Sequence, residues 1–112
     1  MCTRRQVDYI SQMVVNAYRK IYGESIVKIL LYGSYARNEE TDDSDIDIVA
    51  IVDGNRIDLQ NKLKDVWSSV VELGVENGVI ISPTVVPTDE FEHYKSELPY
   101  YMNIEKEGVQ IG

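Results

Sequence analysis

The feature that most constrains this chain is a pair of short β-branched runs, each joined to a polar signature. The first, Ile26-Val27-Lys28-Ile29-Leu30-Leu31-Tyr32, ends at Gly33-Ser34. Beyond residues 35–44, Asp45-Ile46-Asp47 opens the second run, which spans Ile46 to Val52 and stops at Asp53-Gly54. Each run has the length and composition of a buried strand bounded by turn residues. Asp45 and Asp47 are two apart, so in a strand they project to one side, roughly 7 Å apart at the Cα atoms. Paired carboxylates at the mouth of an apolar run repel each other unless a cation relieves them. Mg²⁺ suits such a pair, because it takes one or two protein carboxylates and completes its shell with substrate phosphates. Gly33 lets backbone or ligand approach closely. A helical turn over Ser34 to Asn38 would aim amides at an anion, with the Ser34 hydroxyl and Arg37 as further donors. The competing reading is that the two aspartates only keep a strand edge soluble. The Gly-Ser pair at matching spacing favours a triphosphate site instead.

The remaining pattern supplies the scaffold. Val7, Ile10, Val14, Ala17, Tyr18 and Ile21 form a helical stripe from Thr3, a candidate N-cap, to Gly23. Leu59, Leu63, Val66, Val70 and Leu73 mark a second amphipathic helix, expected to stop at Gly74. Gly78 to Val86 reads as a third strand, placed at an edge or bulge by Pro83. Short helices are expected over Asp89 to Lys95 and from Tyr100 to Glu107. The order predicts an α/β (α+β) domain over residues 1–112, a small mixed sheet of three or more strands flanked by helices.

Charge narrows the partners. Nineteen acidic against eleven basic residues give a net charge of −8, which argues against direct binding of DNA or RNA. It suits a Mg-bound nucleotide or a basic protein. Cys2 is the one cysteine, so no internal disulfide or thiolate metal site is expected. No apolar run reaches the length of a membrane span, and a cytoplasmic location is the expectation.

The string Gly33-Ser34-Tyr35-Ala36-Arg37, then Ser44-Asp45-Ile46-Asp47-Ile48, resembles the signature of DNA polymerase β-like nucleotidyltransferases. Within that superfamily it is similar to the minimal nucleotidyltransferase (MNT) branch, small proteins often paired with a HEPN-domain toxin. The resemblance implies that Gly33, Ser34, Arg37 and Ser44 hold the triphosphate. It implies that Asp45 and Asp47 bind Mg²⁺ and carry catalysis, with ATP or another NTP as substrate. It also implies AMP transfer to a hydroxyl, plausibly a tyrosine of a HEPN toxin, with that toxin or a second copy completing the acceptor surface. Active relatives add a third carboxylate on a neighbouring strand, and Gly78 to Val86 contains none. Either Glu76, Asp89 or Glu90 swings in, or Ser82 or Thr84 takes the place, or catalysis is weakened. The alternative function is an antitoxin that neutralises its partner by binding alone. Antibiotic nucleotidylation, known in larger relatives, would require a dimer.

Outside the motif the expectations are plain. His93 is a packing or surface residue, and Trp67 is a core residue. Lys20, Lys28, Lys62 and Lys64 are solvated charges. Glu39, Glu40, Asp42 and Asp43 form a solvated loop. Tyr94, Tyr100 and Tyr101 either pack on the sheet or form an interface.

Overall fold

The computed structural model describes residues 2–112. Helix α1 spans Arg4–Tyr22 and starts where the stripe predicts. Thr3 caps it through a reciprocal pair of bonds: Gln6 N–H to Thr3 Oγ1 at 3.1 Å and Thr3 N–H to Gln6 Oε1 at 2.9 Å. Strands β1 (Ile26–Tyr32) and β2 (Ile46–Val52) match the two β-branched runs. Helix α2 (Arg56–Asn77), strand β3 (Ile81–Pro87), helices α3 (Thr88–Tyr94) and α4 (Pro99–Glu107) and strand β4 (Val109–Gln110) complete the order.

The sheet runs β3-β2-β1-β4. β1 is antiparallel to β2 and β4, and β3 is parallel to β2 through the α2 crossover. Pro83 therefore sits on an edge strand, as its missing N–H requires. Strand alternation divides the sheet into two faces. Ile29, Leu31, Ile48, Ala50 and Val85 turn to α1 and α2 and join the larger core. Leu30, Val49, Ile51 and Val86 turn to the other face, closed by Phe91 of α3 and Ile104 of α4.

Four expectations are corrected. Helix α2 continues through Gly74 to Asn77 and ends at the left-handed Gly78. Gly74 is a packing position, where an added Cβ would lie 2.6 Å from the Val79 carbonyl oxygen. Residues 34–38 form hydrogen-bonded turns rather than a helix. Lys28 is not simply solvated, since its Nζ lies 5.2 Å from the centre of the Phe91 ring and 3.8 Å from Glu105. Trp67 faces outward at 40% exposure instead of entering the core.

One buried polar link ties the layers beneath the motif. The Tyr18 hydroxyl, fully buried, donates to the carbonyl of Thr84 at 2.7 Å and shares that proton with the carbonyl of Ile48 at 3.2 Å. It joins α1 to both β2 and β3. Tyr18→Phe leaves these carbonyls without that donor and is expected to cost about 1–2 kcal/mol. Urea unfolding should show a lower midpoint with an unchanged slope.

Candidate active site

The site forms where β1 leaves the sheet and β2 enters it. Gly33 has φ +77°, a backbone that favours glycine. An added Cβ there would lie 2.7 Å from Asp47 Oδ2, so the strand-end backbone and the carboxylate are in direct contact. The Ala36 and Arg37 amides return to the Gly33 carbonyl at 3.1 and 3.2 Å, and the Glu39 amide bonds the Ser34 carbonyl at 2.9 Å. Asn38, at φ 57°, ends the turn in the left-handed region. Among the described residues, the Ser34 and Tyr35 amides take no backbone acceptor, an arrangement of donors that suits an anion. Tyr35 anchors the turn from below: its ring is buried, and Arg4 donates to its carbonyl at 3.1 Å.

Asp47 lies within β2, half-buried, and Asp45 precedes the strand by one residue. Burial pushes the Asp47 carboxyl above its ordinary value, and the neighbouring Asp45 adds to the shift. This strain is of the kind a divalent cation relieves, and two carboxylates beside free amides fit a metal whose shell phosphates complete. Among the described residues no group of three or more His, Cys, Asp or Glu could hold a metal by itself.

The neighbouring strands define what flanks Asp47. Tyr32 is its partner on β1 and Ser82 its partner on β3. Ser82 therefore takes the place beside Asp47, while the Thr84 hydroxyl donates to the Ile48 carbonyl at 3.3 Å. Glu90 is held in a two-pronged ion pair by Arg56, past the far end of β3. That end lies about 17 Å along β2 from Asp47 by strand rise. Glu76 is exposed in the last turn of α2. Among the described residues no third carboxylate joins the pair.

Two other residues expected at the triphosphate are engaged elsewhere. Arg37 pairs with Glu39 at 3.0 Å and with Glu107 of α4 at 3.2 Å. Ser44 Oγ accepts the Thr41 amide at 2.9 Å and closes a turn one residue before Asp45. The acidic loop is not wholly solvated, since Glu40 Oε1 is buried without a hydrogen-bond partner. On its other side Asp45 borders a cavity of about 460 Å³ walled by Trp67, Val71, Val75 and Ile80.

The residues that periodicity and motif spacing did not reveal are Tyr32 and Tyr100. Their hydroxyls meet at 3.4 Å over the face that carries Asp47, with the rings edge to face at 6.1 Å. Burial pushes the Tyr32 phenol far up, and Tyr100 and the Asp47 charge push it further. The tyrosine cluster thus packs on the sheet through Tyr101, while Tyr100 stays 42% exposed. His93 stacks edge-on against Tyr94 at 4.5 Å, a packing role.

Comparison with known proteins agrees with this geometry. Residues 12–109 match the family described as "Nucleotidyltransferase domain". The chain is 35% identical over 97 residues to "Putative protein adenylyltransferase MJ0604" of Methanocaldococcus jannaschii, covering 84% of this chain and 86% of that protein. A second protein of that organism, "Putative protein adenylyltransferase MJ1305", is 35% identical over 68 residues, 58% of this chain and 44% of its own. In fold, the chain resembles a crystal structure of a toxin–antitoxin with AMP-PNP, at TM-score 0.55 and 15% identity over 89% of this chain and 70% of that one. A mutant of the toxin–antitoxin MntA-HpeT gives TM-score 0.54 and 15% identity over 100% and 73%. With its motif turn and carboxylate pair set at one corner of a mixed sheet, the chain belongs to the nucleotidyltransferase domain family.

Proposed function

We propose that this nucleotidyltransferase moves AMP from ATP, with Mg²⁺, onto a tyrosine hydroxyl of a HEPN-type toxin partner in the cytoplasm. The observation that carries the reading is the contact between Gly33 and the Asp47 carboxylate. It sets the free amides of Ser34 and Tyr35 beside the carboxylate pair, so one Mg-triphosphate can touch both. When bound, Mg²⁺ would offset charge on the phosphates and orient an in-line displacement. Asp45 and Asp47 would hold it, and the turn would grip the β- and γ-phosphates. Arg37 can join by exchanging its carboxylate partners for phosphate. Its ion pairs are exposed and therefore weak, so a bidentate phosphate contact outcompetes them. The relatives named as adenylyltransferases and the toxin–antitoxin neighbours support the choice of group and partner.

A second reading is favoured by Ser82 standing where a third carboxylate would activate the acceptor. In it the chain neutralises a basic partner by contact alone, using its net charge of −8. One experiment separates the two. The chain is incubated with α-labelled ATP, Mg²⁺ and the product of the adjacent gene, and the partner is followed for label and for toxicity. Label lost in the Asp45→Ala, Asp47→Ala double variant supports transfer. Neutralisation that persists in the double variant, with no label in the wild type, replaces it with the contact reading.

A further inference from the structure

We infer that this chain adenylylates itself on Tyr100. The inference rests on the transfer reading above and concerns the acceptor side of the same corner. In nucleotidyl transfer a hydroxyl oxygen must sit beside the metal-binding carboxylates, on the face to which they project. Strand pairing sets Tyr32 and Ser82 on either side of Asp47 on that face. Directly opposed residues have side chains starting about 5 Å apart. The Tyr32 phenol leans over this surface within the electrostatic reach of Asp47, and its oxygen meets that of Tyr100 at 3.4 Å. Two phenols thus stand on the β1 side of Asp47, across from Ser82 on β3.

Of the two, Tyr100 is suited to react and Tyr32 to position it. Tyr32 is fixed in a central strand and half-buried. Tyr100 is 42% exposed, at the second residue of α4, so an α-phosphate can reach its oxygen and its proton has an exit. The N-terminus of α4 has no side-chain cap, and Tyr100 can shift toward a bound nucleotide without breaking one. Tethering replaces an encounter with a bimolecular acceptor by a local rearrangement. In the step itself, Tyr100 Oη forms a bond to the α-phosphorus of ATP. The bond from that phosphorus to the oxygen bridging to the β-phosphate breaks, pyrophosphate leaves, and the phenolic proton passes to solvent.

The test is intact-mass measurement of the full chain after incubation with ATP and Mg²⁺ alone, followed by peptide mapping. The expected result is a gain of one adenylyl group on Tyr100, formed with a first-order rate constant independent of protein concentration. It should vanish in Tyr100→Phe and persist in Tyr9→Phe, which alters an exposed tyrosine on α1. No gain, a gain on another residue, or a first-order rate constant that rises with protein concentration overturns the inference. If the partner protein is still labelled under those conditions, self-transfer alone falls. If the chain neither binds Mg-ATP nor labels a partner, the transfer reading falls with it.

Discussion

Asp47→Asn is expected to lower nucleotidyl transfer by about a thousandfold while making the metal-free protein more stable at neutral pH. On the proposed function, the loss follows from removing one of the two charges that would hold the cation, with magnitudes typical of deleting a transition-state electrostatic contact. The gain follows from linkage. Burial, then Asp45, holds the Asp47 carboxyl above its ordinary value. Between its unfolded pKa, about 3.9, and its raised folded pKa, the folded state binds more protons than the unfolded state. Stability attributable to this group therefore falls as pH rises through that window, and stays lower above it. The amide removes the titration, so the variant should melt higher than wild type at pH 7 and the difference should shrink towards pH 3. Mg²⁺ with nucleotide should stabilise the wild type and leave the variant unmoved. Calorimetric scans across pH, with and without Mg-ATP, check both signs. A variant that melts lower than wild type at pH 7 would show that Asp47 makes a favourable charge contact instead.

Gly33→Ala attacks the same contact from the other strand. The backbone there is at φ +77°, and the new methyl would lie 2.7 Å from Asp47 Oδ2. Strain at such a position costs about 1–3 kcal/mol. The carboxylate must also move, and displacement of a positioning group by about 1 Å can cost a hundredfold in rate. The expected outcome is a chain that folds with reduced stability and transfers about a hundredfold more slowly. Steady-state kinetics should show the loss in kcat more than in KM. Full activity in this variant would show that Gly33 does not set the Asp47 geometry.

The strands bearing the motif were legible because each is a continuous β-branched run with glycine beyond it, and local pattern decides such segments. Helix α1 was legible for the same reason, with Thr3 and Gly23 marking its ends. Where expectation failed, a long-range contact decided. Gly74 resembles a helix stop in sequence, but its missing side chain instead admits the Val79 carbonyl. Strand β4 is two residues long and exists through its pairing with Leu30 and Leu31, which no local pattern announces. Trp67 continues a stripe that periodicity extends one position too far around the helix. At the site, the closeness of Gly33 to Asp47 follows from the motif. The roles of Ser82, Tyr32 and Tyr100 depend on register between strands and on where α4 lands, and spacing alone encodes neither.

The sheet order has a kinetic consequence. β2 is paired by β1 and by β3 from Asp47 to Val52, so the backbone that carries Asp47 is paired on both sides. Its amides should exchange with solvent only through near-complete unfolding. Helix α4 rests on the outer side through few buried residues, chiefly Ile104, and continues into the two-residue edge strand β4. It can detach in a smaller opening at lower free energy. The nucleotide half of the corner would then persist unchanged while the half carrying Tyr100 opens and recloses many times, and deuterium uptake at α4 would run ahead of that at β2.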